Sequence, residues 1–144
     1  MTLNSYEDAL ADVHSEIVSV VLEYADGKAS DIYVYCSSER AALTIDPYFV
    51  IEGEIYEIHK APIPSASSSR QWALLDYGIA QLQRLKEFCH QFSRPMPTEM
   101  KLHYALASGT FDADISYEDR YTGTNLGWSD LADKWRQEIQ ATLA

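Results

Sequence analysis

His103 and Asp114 are the residues whose types and spacing come nearest to chemistry. They fall on two predicted strands of the stretch Glu99–Asp119, EMKLHYALASGTFDADISYED. A two-residue turn at Ser108-Gly109, of the kind that suits hairpins, sets His103 opposite Asp114. A carboxylate beside an imidazole is how a general base is oriented. Such a base needs a nucleophile or a metal-bound water to work on. GxSxG is absent, and His14, His59, His90 and His103 show no HExxH or other ligand spacing. The plain reading of His103 with Asp114 is a surface cross-strand pair, worth roughly a few tenths of a kcal/mol. A hydrolase built on the two residues is the alternative.

The carboxylates Asp112, Asp114, Glu118 and Asp119 could in principle take a divalent cation. Calcium loops, however, gather closely spaced oxygens on a bent backbone, as in DxDxDG. Asp112 and Asp114 sit on a regular strand and read as a solvated face. Gly123 and Gly127 form no GxGxxG or Walker loop. Cys36 and Cys89 make neither a CxxC nor a disulfide framework. They read as small core hydrophobes in a reduced, cytoplasmic setting. No metal and no cofactor is expected.

The hairpin must position these groups, and its register follows from the turn. Leu106 faces Phe111, Tyr104 faces Ala113, Leu102 faces Ile115 and Met100 faces Tyr117. On the other side, Ala105 meets Asp112, His103 meets Asp114, Lys101 meets Ser116 and Glu99 meets Glu118. Opposed residues share a face, so the apolar residues collect on one side and the acids on the other.

The rest of the chain supplies the cover. Ser5 caps a predicted helix over about Tyr6 to Tyr24, which stops at Asp26-Gly27. Asp31 to Ser37 reads as a strand, followed by a turn over Ser37 to Arg40. Ala41 to Glu52 and Glu54 to Ala61 read as two more, joined at Glu52-Gly53. That turn pairs Val50 with Ile55 and Phe49 with Tyr56. Tyr48, Val50 and Ile55 share one side with Asp46, Glu57 and His59. Ile45, Phe49, Tyr56 and Ile58 take the other. Two apolar sides require either a helix over the second or a partner. Pro47 cannot donate to a ladder and implies an edge or a bulge. Pro62 to Ser69 is a loop. Ser69 caps a long helix bearing Trp72, Leu75, Ile79, Leu82, Leu85, Phe88, Cys89 and Phe92. Its broad stripe predicts that it lies across the hairpin's apolar face as the main cover. It ends by Arg94, before Pro95. Arg120 to Gly127 is a loop, and Ser129 caps a last helix with Leu131, Trp135, Ile139 and Leu143. The order α-β-β-β-α-β-β-α, with two hairpins and no βαβ unit, predicts an α+β fold with an antiparallel five-stranded sheet and packed helices.

A chain of 144 residues is expected to form a single domain, 1–144. The net charge of −11 argues against nucleic acid and anionic membrane surfaces and for a basic partner. No apolar run is long enough to span a bilayer, and the acidic start, MTLNSYEDALADVHSE, lacks the basic region of a signal peptide. Ten tyrosines are many for this length. Tyr33, Tyr35, Tyr48 and Tyr56 fall in the first three strands, where core packing and an interface explain them equally.

The segment Gly109-Thr-Phe111-Asp-Ala-Asp114-Ile-Ser-Tyr117-Glu118-Asp119 resembles the G-x-F-x-x-D-x-x-Y-E-D signature of the YezG-like immunity proteins. The similarity extends more loosely over the chain, through the acidic first helix, an IYVY-like strand, the long middle helix and the short last one. The resemblance implies a small acidic antitoxin that binds and silences a nuclease toxin encoded beside it, without catalysis. Nucleases present basic clefts to phosphate, and an acidic inhibitor can occupy one, with steering from carboxylates and affinity from aromatic anchors. The expected contacts are Asp112, Asp114, Glu118, Asp119, His103, Tyr48 and Tyr56, and the expected partner is a cognate basic toxin domain. The alternative is an acidic secretion chaperone, a homodimer that holds an effector segment in apolar grooves.

Overall fold

Each element of the chain starts and stops where local chemistry directs it. A computed structural model describes residues 5–143. Its order is α1 (Tyr6–Ala25), β1 (Asp31–Glu39), β2 (Ala42–Ile51), β3 (Glu54–Glu57), α2 (Ser68–Gln91), β4 (Glu99–Ala105), β5 (Thr110–Ser116) and α3 (Trp128–Leu143). This is the predicted α+β arrangement, and all pairings are antiparallel in the order β3-β2-β1-β4-β5. Ser5 caps α1 as predicted, its hydroxyl accepting the Asp8 N–H at 3.1 Å. Glu52 and Gly53 both take left-handed backbone, φ 52° and 82°, the geometry of a tight hairpin turn. The predicted pairs Val50–Ile55 and Phe49–Tyr56 result. Pro47 lies in β2 just beyond the residues that β3 pairs, an edge position on that side.

Four differences from expectation concern the ends of elements. β3 stops at Glu57 rather than Ala61, and α3 begins at Trp128, so Ser129 lies in its first turn instead of capping it. β1 runs on to Glu39, because Arg40 and Ala41 make a second tight turn at φ 55° and 60°. Neither residue is a glycine, so no turn signal marks the place. The cap of α2 is Ser67 rather than Ser69: its hydroxyl accepts the Arg70 N–H at 3.2 Å. Ser67→Ala should therefore destabilise the protein by about 1 kcal/mol in urea titration, and Ser69→Ala by only a few tenths. Equal losses would contradict this assignment.

The hairpin register differs from expectation by two residues. Tyr104 opposes Phe111, Leu102 opposes Ala113 and Met100 opposes Ile115. On the other side, His103 opposes Asp112 and Lys101 opposes Asp114. Of the two turn residues, only Gly109 has a positive φ, 67°. Ser108 keeps a negative φ, so a two-residue primed turn cannot form. The loop instead spans Leu106–Gly109, closed by the Gly109 N–H on the Ala105 carbonyl at 2.9 Å. Leu106 is drawn the other way, donating to the Ser30 carbonyl beside β1 at 3.0 Å. A two-residue shift preserves both faces, since side chains alternate with period two.

The sheet is covered on both sides. On the first face, Ile32, Val34, Phe49, Met100 and Leu102 are buried under α1 and α2. The helix beside the hairpin's apolar face is α1, through Leu10, His14 and Val18; the expected cover, α2, lies over β2 instead. The close approach there is Gly78, where an added Cβ would stand 2.4 Å from Ile45 Cδ1. Trp72, expected in the buried stripe, is 66% exposed. On the second face, Tyr35, Tyr48, Val50 and Ile55 are buried against Ala132 and Ile139 of α3. Helices thus close both sides of β2: α2 lies over Ile45 and Phe49, and α3 over Tyr48 and Val50.

Candidate protein-binding face

The last helix covers only half of the second sheet face. Leu131, Trp135, Ile139 and Leu143 recur at a spacing close to four and seat α3 over β1, β2 and β3. Trp135 marks the limit of that cover. Its ring meets Tyr33 edge-on at 5.6 Å and an 82° angle. Beyond it β5 stays open, with Lys101 and His103 of β4 half-buried at its margin. Tyr33 stacks flat on His103, with ring centroids 4.1 Å apart. His103 Nε2 lies 2.7 Å from Asp31 Oδ2, so its carboxylate partner is Asp31, not the expected Asp114.

Asp31 also receives a hydrogen bond from the Ser30 hydroxyl at 2.9 Å. Serine, aspartate and histidine are therefore adjacent, but in the wrong order for acyl transfer. A base must accept the nucleophile's proton on its imidazole. Here the Ser30 hydroxyl donates to the carboxylate rather than to the imidazole, so the three residues do not form a triad. The described residues contain no group of three His, Cys, Asp or Glu side chains able to hold a metal ion. Cys36 and Cys89 are buried and unbonded. Burial pushes the Cys36 thiol up to about 12, which makes it inert at neutral pH.

Asp112 and Asp114 project from β5, a strand exposed from Thr110 to Asp114. Glu118 and Asp119 follow it and are exposed too. Among the described residues none of the four has an ion-pair partner. The cations of this region turn elsewhere: Lys101 and Arg120 toward Glu99, at 3.9 and 3.6 Å, and His103 toward Asp31. Glu99 is buried and also accepts the Tyr35 hydroxyl at 2.5 Å. Thr98 holds the exit of the hairpin by donating to the Glu118 carbonyl, also at 2.5 Å.

Five of the seven expected contacts thus lie together: His103, Asp112 and Asp114 on the open half-face, with Glu118 and Asp119 at its end. The other two do not. Tyr48 is buried beneath α3 and cannot reach a partner. Tyr56 sits half-buried on the opposite face, its hydroxyl bonded to Glu54. Period-two alternation cannot show which face a later helix will close, so the sequence alone does not separate these tyrosines from the acids.

One positioning residue carries no local sequence signal. Glu39, at the end of β1, is buried. Its carboxylate accepts N–H groups from Arg120 at 2.6 Å, Tyr121 at 3.1 Å and Thr122 at 2.5 Å, and the Thr122 hydroxyl as well. This clamp fixes the chain just after Glu118 and Asp119 and before α3. Burial pushes its carboxyl up, but the bonds from Thr122, Arg120 and Tyr121 outweigh that and hold it below the usual range.

Asp46 shows the reverse case at the foot of α3, in a hollow it shares with Glu57, His59 and Asp133. Burial, then the Glu57 charge, push its carboxyl up to about 6, against a smaller pull from His59. His59 itself pairs with Glu57 at 3.2 Å. A folded-state pKa raised above the unfolded value favours the protonated form. The stability that Asp46 contributes is therefore full below about pH 4 and lost as pH rises through about 6. Asp46→Asn should stabilise the protein at pH 8 and leave it unchanged at pH 4 in paired thermal melts. A gain at pH 4 and none at pH 8 would contradict the sign.

The chain matches no protein-family model and no curated protein. No helix among the described residues is long and apolar enough to cross a membrane.

Proposed function

We propose that this protein is an immunity protein, an antitoxin that binds a cognate bacterial nuclease toxin and neutralises it by covering its basic active-site region. The observation that carries the reading is the open half-face with Asp112 and Asp114, continued by Glu118 and Asp119. These are exposed carboxylates without cationic partners among the described residues, on a chain of net charge −11. A protein does not leave like charges together on one face without electrostatic strain, and a basic partner relieves it. His103 and Tyr33, stacked at the margin, give that face an aromatic platform of the sort interfaces use. The similarity of Gly109–Asp119 to the YezG-like signature points to the same class. The setting is the cytoplasm, where such a toxin would act, and the protein needs no catalysis of its own.

The secretion-chaperone reading has one observation in its favour, the apolar groove between α1 and β5. It requires a homodimer and an unfolded client, whereas the antitoxin requires a folded one.

The experiment is a titration of the proposed cognate nuclease domain, sought in the neighbouring open reading frame, with the purified protein. One equivalent should abolish cleavage, and light scattering should give a one-to-one complex. Cleavage that persists at excess protein, or a homodimer bound to an unfolded segment, would contradict the proposal. In the same preparation, hydrolysis of generic esters and phosphoesters should stay at background for wild type and His103→Ala alike. Activity lost with His103 would turn the reading to a hydrolase.

A further inference from the structure

The outer edge of β5 combines three features, of which the antitoxin reading uses only the last. First, β5 ends the sheet, and among the described residues no strand pairs with its far side. The Leu106 N–H on the Ser30 carbonyl shows that Leu106, Tyr104 and Leu102 turn their backbone groups toward β1. In an antiparallel ladder these directions alternate. His103 and Lys101 therefore face β5, and their partners Asp112 and Asp114 face inward. The N–H and C=O groups of Phe111, Ala113 and Ile115 point out, unpaired among the described residues.

Second, an apolar groove of about 590 Å³ runs beside that edge on the first face. Leu10, His14 and Val18 of α1 form one wall, and Tyr104, Phe111 and Ile115 the other. Its histidine carries no charge at neutral pH. His14 is buried 3.2 Å from Met100 Sδ, and burial pushes its pKa down to about 4. Phe111 is 39% exposed at the groove mouth. Third, the opposite face of the same strand carries only Thr110, Asp112, Asp114 and Ser116, two of them unpaired acids.

We infer that β5 accepts an extended segment of the basic partner as a sixth strand, one in which apolar residues alternate with lysine or arginine. The alternation follows from the pleat. Residues opposed across a ladder point to the same side. Apolar side chains opposite Phe111, Ala113 and Ile115 enter the groove, and basic ones opposite Asp112 and Asp114 meet the acids. Main-chain bonds supply affinity and the two faces supply specificity, the logic of strand addition. A second copy of this chain does not fit. Two β5 strands side by side would set aspartate against aspartate, and acids on an edge are how sheets avoid self-association. The inference rests on the acidic-face reading and adds to it the backbone edge as the docking element.

The test uses the isotopically labelled full chain and three capped octapeptides. One alternates valine with lysine, one segregates the same residues into two blocks, and one alternates valine with glutamate. The valine–lysine peptide should bind. At about nine-tenths occupancy it should slow amide exchange at Phe111, Ala113 and Ile115 about tenfold, because only the free state exchanges. The block and glutamate peptides should leave those amides unchanged. Ala113→Pro removes one outward N–H, which an edge strand tolerates, and should abolish the protection. If that variant does not fold, Asp112→Lys with Asp114→Lys serves instead, and should move binding from the lysine to the glutamate peptide. Equal protection by the block peptide, no protection, or protection already present in a dimer of the free protein would overturn the inference. Toxin neutralised at full strength by folded Ala113→Pro would overturn strand addition while leaving the acidic face as the docking surface.

Discussion

Glu39→Ala should lower the folding free energy by about 3 kcal/mol, the largest stability effect expected of any single polar change outside the core. The carboxylate is buried and accepts three consecutive backbone N–H groups and a hydroxyl from Arg120–Thr122. Hydrogen bonds to a charge are worth about 1.5–3 kcal/mol each, but they do not add in full here. Arg120 and Thr122 are exposed and recover water when the acid is removed. Tyr121 is buried and does not. The segment also tethers α3, so its release loosens the Trp135 packing. Urea titration of variant and wild type checks the magnitude, and a loss below about 0.5 kcal/mol, the range of ordinary surface changes, would contradict the clamp.

The same residue sets a pH dependence. A carboxyl held below its unfolded pKa of about 4.3 contributes stability that is complete above that value. That contribution is lost as pH falls through the folded value. The gap between wild type and Glu39→Ala should therefore be constant from pH 6 to 8 and shrink in acid. A gap that widens below pH 4 would reverse the sign.

Asp112→Lys combined with Asp114→Lys should slow association with the toxin by about tenfold or more at low salt, with little change in stability. Both side chains are exposed on an edge strand and have no ion-pair partner among the described residues, so the reversal breaks no contact of the fold. Exposed charges act at a distance and chiefly on the rate of encounter. At about 1 M salt the Debye length is only about 3 Å, and the two proteins should then associate at similar rates. Stopped-flow mixing with the toxin domain at both salt concentrations measures this, and protection of toxin-exposed cells should weaken in parallel. Equal rates at low salt would remove the half-face as the steering surface. The Tyr48 and Ile55 side of β2 and β3 could not replace it, because α3 buries both.

How far the chain could be read in advance depended on the range of the interactions. The element order and both faces of the β4–β5 hairpin were legible, because alternation and caps are local signals. The hairpin register was not. It turned on whether Ser108 would adopt left-handed backbone, and on Leu106 finding Ser30 across the sheet. The choice between α1 and α2 as cover for the hairpin was equally hidden. Both helices carry broad apolar stripes, and what places α2 over β2 is the fit of Gly78 to Ile45, residues 33 apart in sequence.

The candidate site divides along the same line. Asp112, Asp114, Glu118 and Asp119 could be placed in water from the hairpin alone. The partner of His103 could not, since Asp31 comes from a strand more than 70 residues earlier. Glu39 gave no sign at all. A glutamate at the end of a strand reads as a surface charge until the loop that folds over it is known. Tyr48 misled for the converse reason, because a tyrosine among acids suits an interface and a core alike.

The central claim is that the half-face left open by α3 is where the partner docks. The most direct test is a hydrogen-exchange footprint of the complex with the proposed cognate nuclease domain. Protection should appear on β4, β5 and the segment through Asp119, centred on His103, Asp112 and Asp114, with the outer faces of α2 and α3 unchanged. Protection confined to α2 around the exposed Trp72, or to the outer face of α3, would contradict the account.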